Sequence, residues 1–383
     1  MQRSKAGKRI TVWGTSFAKI GDEAQIGAIL ELLADLAPDA DVAVLDRPRQ
    51  ATRLFYPHAR TIRLAEAWRS VTRLLRSDLL LVVGAPFYET RRQLLACMLV
   101  IALSRLGGAA IACYGITVFK TRAAAARRLF RSFFDRMALV AVREQAGLDM
   151  LRRLDVAVEP VLVEDQRALL APDDGVRVAA LLRDSGIDPD QPVIALTTRY
   201  VHEDVPDWVK DLQGFDADRN RRAVETLGRL MNALSGWAQL LVIPMHPSLD
   251  DDRAMVAQIR RHLDDPDRIQ MLRPPFSAGQ CIGVIARCEM LISSRLSSTT
   301  FAANSGTPVM AVAYDPRSAE LMARGSAGDF VLRWDELEYE PALALCERLW
   351  RERDQVRAAQ RADAARRRDK ARADAELLRP LVA

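Results

Sequence analysis

The sequence predicts an α/β protein of two domains, and three observations carry that expectation. Short apolar runs bounded by turn residues alternate with longer segments of helical periodicity, as strands and helices do around a parallel sheet. The alternation runs twice, with a looser stretch rich in Pro, Asp and Gly between the two series. The chain has 383 residues, 49% of them hydrophobic, which suffices for two cores without disulfide or metal staples.

In the first series, Ile10 to Trp13, Val42 to Leu45, Leu79 to Val83, Ala109 to Tyr114 and Leu139 to Val142 read as strands. Asp22 to Leu36, Arg91 to Leu106 and Ala123 to Met137 read as the helices between them. Around Pro160 to Gln191 the periodicity loosens, and Pro172, Asp173, Asp174, Gly175 and the run from Gly186 to Pro192 supply turn chemistry. That stretch reads as the inter-domain region. The second series places strands at Val193 to Leu196, Leu240 to Ile243, Ile269 to Leu272, Met290 to Ser293 and Val309 to Ala313. The expected domains are 1–170 and 190–340, followed over 341–383 by an Arg- and Ala-rich helix continuous from Pro341 to Leu378. Two such halves place a ligand in a central cleft, beyond the carboxyl ends of the strands.

Composition narrows the function classes. No apolar run reaches the roughly 18 to 20 residues needed to cross a bilayer. The opening Met1-Gln2-Arg3-Ser4-Lys5 leads into a strand rather than an apolar signal-type stretch, so a cytoplasmic protein is expected. The five cysteines, Cys97, Cys113, Cys281, Cys288 and Cys346, form no C-x-x-C pair and are odd in number. They predict buried thiols, with no disulfide framework and no zinc site; no other metal and no cofactor is expected. The net charge of +5 comes from arginine, since only six of the 55 basic residues are lysine. That excess suits an anionic ligand or an anionic membrane surface, and equally a solvated exterior. Nucleic acid is not an expected partner, because no basic-aromatic sheet motif, helix-turn-helix or zinc finger is present.

Two basic segments leave peripheral contact with the inner membrane surface open. In Lys120 to Arg136, Phe130, Phe133 and Phe134 are interleaved with Arg122, Arg127, Arg128, Arg131 and Arg136, with Phe119 just before. Membrane docking is one reading and aromatic core packing the default. The tract Arg366-Arg367-Arg368-Asp369-Lys370 reads foremost as a solvated helix face.

The most informative segment is Ser293-Ser294-Arg295-Leu296-Ser297-Ser298, where a strand gives way to a short helix ending at Gly306. A helix N-terminus offers unpaired N–H groups and a dipole suited to an anion, and Arg295 adds a fork for phosphate or carboxylate. The alternative is that Ser and Thr simply cap the helix.

The run Ser294 to Ser298, with Phe301-Ala302, Gly306-Thr307-Pro308-Val309 and Tyr314-Asp315-Pro316-Arg317, resembles the C-terminal signature of polysaccharide pyruvyl transferases. Gly21-Asp22-Glu23-Ala24 is similar to that family's N-terminal G-D-E element, Val142-Arg143-Glu144 to its central V-R-D or V-R-E element, and Glu164-Asp165 to its acidic pair. Order and approximate spacing agree from Gly21 to Arg317. The resemblance implies two Rossmann-like domains facing a central cleft, similar to GT-B glycosyltransferases. It also implies transfer of a pyruvyl group from phosphoenolpyruvate to a nucleotide-linked or lipid-linked saccharide in envelope or exopolysaccharide biosynthesis. Donor contacts carried over are Arg143, Arg295, Leu296, Ser298 and Arg317, the last standing where the family usually has Lys. Asp22, Glu23 and Glu144 fall on the acceptor side; for Asp22 and Glu23, capping of the helix they open is an equal reading.

The chain also departs from the family pattern. R-L-H-S reads Arg295-Leu296-Ser297-Ser298, so a hydroxyl stands where the family's general acid is expected. Lys19 lies near the place of the usual Asn before G-D-E, and Gly84-Ala85-Pro86 replaces a glycine run. Serine is too weak an acid to substitute directly. Three readings follow: another residue protonates the donor, the reaction differs, or the protein binds without turnover. His246, after the strand Leu240 to Ile243, is the candidate substitute acid, with a rigid Pro244-Met245-His246-Pro247 turn as its bland reading. Arg199 and Glu203 follow another strand end and fit either ligand contact or surface ion pairing. The competing functions are a GT-B-type glycosyltransferase gripping a nucleotide sugar near Ser297, and a non-catalytic relative that keeps the anion pocket.

Overall fold

The computed structural model describes residues 7–14, 19–46, 56, 60–63, 66–85, 91–118, 124–173, 175–198, 216–245, 252–313 and 316–383. The chain divides into two compact units, the first holding 1–18, 22–170 and 367–383 and the second 19–21 and 171–366.

The first unit runs β1 (Arg9–Trp13), α1 (Ile20–Leu36), β2 (Asp41–Asp46), β3 (Arg60–Arg63), α2 (Ala67–Arg76), β4 (Leu79–Gly84), α3 (Arg91–Leu106), β5 (Ala110–Ile116), α4 (Ala124–Phe134), β6 (Leu139–Val142), α5 (Gln145–Arg153) and β7 (Val161–Leu162). Its seven strands lie in the order β3-β2-β1-β4-β5-β6-β7, all parallel. Covered on both faces, the central strands are apolar throughout, as in β4, Leu-Leu-Leu-Val-Val-Gly, where every residue is buried.

Two apolar layers sandwich this sheet. Leu74 of α2, Cys97, Val100 and Ile101 of α3, Phe130 and Phe134 of α4 and Leu148 and Leu151 of α5 cover one face. Ile26, Ile29 and Leu33 of α1 cover the other together with Ala375, Leu378 and Val382 from the chain's end. Of the two readings of the Phe/Arg stretch, core packing therefore holds for Phe130 and Phe134, and Phe133 stands edge-on to Phe134 with ring centres 5.2 Å apart. Burying Phe130 and Phe134 contributes about 2–3 kcal/mol each.

The second unit contains α6 (Gly175–Asp184), β8 (Val193–Thr197), α7 (Ala217–Leu234), β9 (Gln239–Val242), α8 (Asp252–Arg260), β10 (Ile269–Met271), α9 (Ala278–Arg287), β11 (Met290–Ser293), α10 (Leu296–Ser305), β12 (Val309–Ala313), α11 (Pro316–Ala323), β13 (Val331–Arg333) and most of α12 (Tyr339–Ala375). Its sheet, order β10-β9-β8-β11-β12-β13, is again parallel. The Ser277 hydroxyl and the Gln280 side chain close a reciprocal capping box at the start of α9. Gly306 ends α10 at φ 78°, a left-handed conformation natural to glycine; a Cβ there would also lie 2.3 Å from Arg361 Cγ.

Two boundaries differ from the sequence reading. The second unit begins at Ala171 rather than 190, because α6 is part of its packing. The Asp173 amide donates to the Gly279 carbonyl at 3.0 Å, and a Cβ at Gly283 would meet Val178 Cγ2 at 2.5 Å. Nor is the 341–383 tail an appendage: α12 stays with the second unit through Arg366, and the remainder joins the first. There, besides the apolar contacts over α1, Leu381 accepts a hydrogen bond from Lys8 Nζ at 3.1 Å, and Asp374 accepts one from the Glu164 amide at 2.6 Å. A turn (Glu376–Leu378) leads from α12 into the terminal α13 (Arg379–Val382). The basic tract is held by its own helix, Arg366 pairing with Asp363 and Lys370 with Asp374 at 2.8 Å.

All five cysteines are buried. Among the described residues, no helix is long and apolar enough to cross a membrane.

Candidate functional site

In the first unit the polar residues gather at the carboxyl ends of β5 and β6 and just after β7. Arg143, one residue beyond β6, is the hub, with only 10% of its side chain exposed. Its Nε and Nη2 donate to Thr117 Oγ1 at 3.1 and 2.8 Å, and its Nη1 donates to Gln25 Oε1 at 3.2 Å. Carboxylates of Glu144 and Asp165 lie 3.1 and 3.6 Å from its nitrogens. The Thr117 hydroxyl donates in turn to Glu144 Oε1 at 2.9 Å.

Asp165 is shared with a second buried guanidinium, that of Arg167, which donates to it from Nε at 2.9 Å and from Nη2, while the Arg167 amide caps it at 3.0 Å. Burial alone would raise the Asp165 carboxyl, but Arg167 and Arg143 override it and hold the group well below the usual carboxylate range. Arg167 is affected in the opposite direction: burial opposes its charge, yet Asp165, with Asp22 and Glu144 further off, raises it. Gly115, at φ 61°, makes this arrangement possible, since a Cβ there would stand 1.9 Å from Gln166 Oε1. Gln166 thereby reaches the Glu164 carbonyl at 3.1 Å, and Gln25 reaches the Gly115 carbonyl at 3.0 Å.

At the start of α1, Asp22 is half-buried and Glu23 buried. Glu23 accepts a hydrogen bond from Tyr56, whose hydroxyl burial and the neighbouring carboxylate push well above its usual value.

The second unit builds its polar focus from hydroxyls. Thr197 closes β8, Ser293 closes β11, and Ser298 and Thr299 lie in the first turn of α10. The hydroxyls of Thr197 and Ser298 approach to 2.6 Å, Ser293 and Ser298 to 2.9 Å, and Ser293 and Thr299 to 2.9 Å. All four residues are buried. This network ties α10 to the two strand ends and fixes the loop between them: the Arg295 amide donates to Ser293 Oγ at 3.2 Å, and the Arg295 carbonyl accepts from Ser298 and Thr299 hydroxyls at 3.0 Å each.

Arg295 is the N-cap of α10 and supplies no side-chain cap to that helix. Its Nε instead donates to the Thr198 carbonyl at 3.0 Å. Arg295, Leu296 and Ser297 are the half-buried members of the run, so they meet solvent where the helix dipole is positive. Beside them the Thr198 hydroxyl is buried with no hydrogen-bond partner among the described residues. Such an orphan is uncommon and marks a place where a further acceptor or donor belongs.

The residues named from the sequence thus fall into two groups. Arg143 and Glu144 are joined with Asp165 in one, with Asp22 close enough to act on Arg167. Arg295, Leu296, Ser297 and Ser298 line the start of α10 in the other. Ser298 spends its hydroxyl inside the network, so what remains to it is its backbone amide. Arg317 is half-buried in the first turn of α11. His246, Arg199 and Glu203 lie outside the described residues, as do Tyr314 and Asp315. Sequence reasoning missed Gln25, Thr117, Gln166, Arg167, Thr197 and Thr198. Their available signal was position, each closing or following a strand or lying in the first turns of a helix, but polar residues are common at such places.

These two α/β units, each built on a parallel sheet, define a GT-B-like fold. Two solved structures share it over nearly the whole chain. Anabaena Alr3699/HepE in complex with UDP-glucose superposes with a TM-score of 0.64 at 15% identity, covering 98% of this chain and 99% of that one. The Neisseria meningitidis UDP-GlcNAc 2-epimerase bound to UDP-GlcNAc gives 0.62 at 12% identity, covering 97% and 99%. The sequence is more specific than the fold: the chain belongs to the polysaccharide pyruvyl transferase family, whose sequence model matches residues 20–316. It is also 22% identical over 200 residues to the amylovoran biosynthesis protein AmsJ of Erwinia amylovora, a match covering 49% of this chain. This match spans less than half, 45%, of that curated relative's length.

Proposed function

We propose that this protein transfers a pyruvyl group from phosphoenolpyruvate to a saccharide acceptor during exopolysaccharide or envelope polysaccharide assembly. The observation that carries the reading is the start of α10, where Arg295, the first-turn amides and the orphaned Thr198 hydroxyl converge within a chain matching the family over residues 20–316. Phosphoenolpyruvate presents a phosphate and a carboxylate. Helix amides suit a tetrahedral anion, and a guanidinium suits either group. Arg143 and Arg317 are the further cations assigned to the donor, and Asp22, Glu23 and Glu144 are assigned to the acceptor's hydroxyls. Each of these acids also has a partner within the unit: Glu23 is engaged by Tyr56, Glu144 by Arg143 and Thr117, and Asp22 acts on Arg167.

In the proposed reaction an acid protonates the donor methylene, a sugar hydroxyl attacks the neighbouring carbon, and phosphate leaves; a second hydroxyl closes the ketal. Ser297 sits at the solvent-facing start of α10 where it orients the donor by hydrogen bonding, and the proton comes from another group, for which His246 is the candidate. The acceptor is a nucleotide-linked or lipid-linked saccharide, and a cytoplasmic setting fits such a donor.

A second reading draws on the two solved structures, whose ligands are UDP-glucose and UDP-GlcNAc. The same helix start would hold the diphosphate of a nucleotide sugar. The two are separated by thermal shift and turnover. Phosphoenolpyruvate should raise the melting temperature and release phosphate only when an acceptor saccharide is supplied, and Arg295→Ala should weaken donor binding at least tenfold. Stabilisation by UDP and none by phosphoenolpyruvate at saturation would transfer the assignment to a nucleotide sugar. Donor binding without turnover that becomes turnover in Ser297→His would identify a non-catalytic relative lacking only its acid.

A further inference from the structure

Helix α3, Arg-Arg-Gln-Leu-Leu-Ala-Cys-Met-Leu-Val-Ile-Ala-Leu-Ser-Arg-Leu, is apolar nearly all round. Such a helix normally has all sides covered. Here only one side is: Cys97, Val100 and Ile101 enter the core. On the opposite side Leu95, Met98, Leu99 and Leu106 stand at i, i+3, i+4 and i+11, and Leu99 is 61% and Leu106 80% exposed. The neighbouring helix α2, which covers the same face of the sheet, continues this surface with Trp68, 81% exposed, and Leu75. The two helix ends abut, since a Cβ on Gly107 would lie 2.2 Å from the Leu75 carbonyl oxygen. Most of the large apolar side chains exposed among the described residues thus sit on one pair of adjacent helices. Isolated exposed leucines need no explanation, but a contiguous set does.

Charge indicates what covers it. Trp68 also edges a cavity of about 510 Å³ between α2 and the edge strands, lined by five arginines against two carboxylates. Arg73 and Arg60 are committed to Asp41, and Arg69 pairs with Glu66 at 2.9 Å. Arg76, next to Leu75, and Arg105, next to Leu106, have no carboxylate partner among the described residues. Exposed Trp and Leu bordered by unneutralised arginines match an interface whose interior is apolar and whose surface is negative.

We propose that the α2–α3 face docks this protein on an anionic lipid bilayer, with Leu95, Leu99, Leu106 and Trp68 entering the headgroup boundary and Arg76 and Arg105 meeting lipid phosphates. α3 leaves the sheet at the carboxyl end of β4, the end at which Arg143 and Gln25 gather in this unit. The other end of the docking face, with Leu106, Arg105, Leu75 and Arg76, lies beside the amino ends of β5 and β4, so the face runs the length of the helix pair. The inference does not depend on the donor, and its test contains neither donor nor acceptor. In vesicle flotation, the protein should bind phosphatidylcholine vesicles containing 30% phosphatidylglycerol and bind pure phosphatidylcholine at least tenfold less, with binding reduced several-fold at 0.5 M salt. Leu99→Glu should abolish flotation, and the paired Arg76→Ser and Arg105→Ser substitutions should weaken it about tenfold; circular dichroism should show both variants folded. Binding unchanged in folded Leu99→Glu, or none to anionic vesicles by wild type, would overturn the proposal. So would a wild-type dimer, seen by light scattering, that Leu99→Glu dissociates while neither form floats, because a second copy would then be the occupant.

Discussion

Replacing Asp165 by Asn tests whether the first unit depends on its buried charge cluster. The substitution keeps the side-chain volume and one acceptor oxygen, removes the charge, and puts an amide donor where the second oxygen accepted from Arg167. Two guanidinium groups, Arg167 at 5% and Arg143 at 10% side-chain exposure, then share what remains, with Glu144 3.1 Å from Arg143. Removing one partner from a buried ion set typically costs about 3–5 kcal/mol, because the remaining charge stays desolvated. With a urea slope of about 2 kcal/mol/M for a domain of this size, the unfolding midpoint of this unit should fall by about 1.5–2.5 M. The pH dependence gives an internal control. The Asp165 carboxyl is depressed in the folded state, so its contribution is complete above the ordinary carboxylate value near 4 and is lost as pH falls below it. The gap between wild type and Asp165→Asn should stay constant from pH 6 to 8 and narrow by about 1.4 kcal/mol for each pH unit below about 4. Urea titrations followed by far-ultraviolet circular dichroism at pH 7 and pH 3 would measure both. A gap under about 1 kcal/mol at pH 7, or one that does not narrow at pH 3, would refute the reasoning.

Two further predictions concern geometry. Gly115→Ala places a Cβ at φ 61° and against Gln166, so Gln166 must leave its contact with the Glu164 carbonyl. Left-handed backbone strain of about 1 kcal/mol and one or two lost hydrogen bonds sum to about 2–3 kcal/mol, readable by thermal melting. Ser298→Ala should destabilise by about 1–3 kcal/mol in the same melting experiment, because Thr197 and Ser293 lose a buried partner. A loss under about 0.5 kcal/mol would mean that this hydroxyl network does not hold α10 to the strand ends.

Strands that cross the middle of each sheet were readable because they are buried on both faces, and burial writes itself as an unbroken apolar run. Leu79–Gly84 and Met290–Ser293 are examples. The strands that the periodicity hid are β3, β7 and β13, all at sheet edges. β3 reads Arg-Thr-Ile-Arg with a single buried residue, and β7 is two residues long. An edge strand owes its existence to pairing with a neighbour, and that neighbour lies far away in sequence. α6 was hidden for a related reason: its start falls in the sequence Pro-Asp-Asp-Gly, which reads as a linker, and only its packing against α9 assigns it to the second unit.

What the sequence determined by itself is the alternation of strands and helices, the family to which the chain belongs and the strand-to-helix junction at Arg295, because each rests on local order along the chain. Tertiary structure alone decided three things. It set Gln25, Thr117, Asp165 and Arg167 around Arg143, drew the chain's last residues back onto the first unit, and left one face of α3 uncovered. Each depends on contacts between distant segments. Composition does not distinguish the two faces of α3: Cys97 and Leu99 are both apolar and two residues apart, yet one is in the core and the other meets solvent. Helical rotation gives those two side chains opposite directions, but only the neighbouring elements decide which direction is inward.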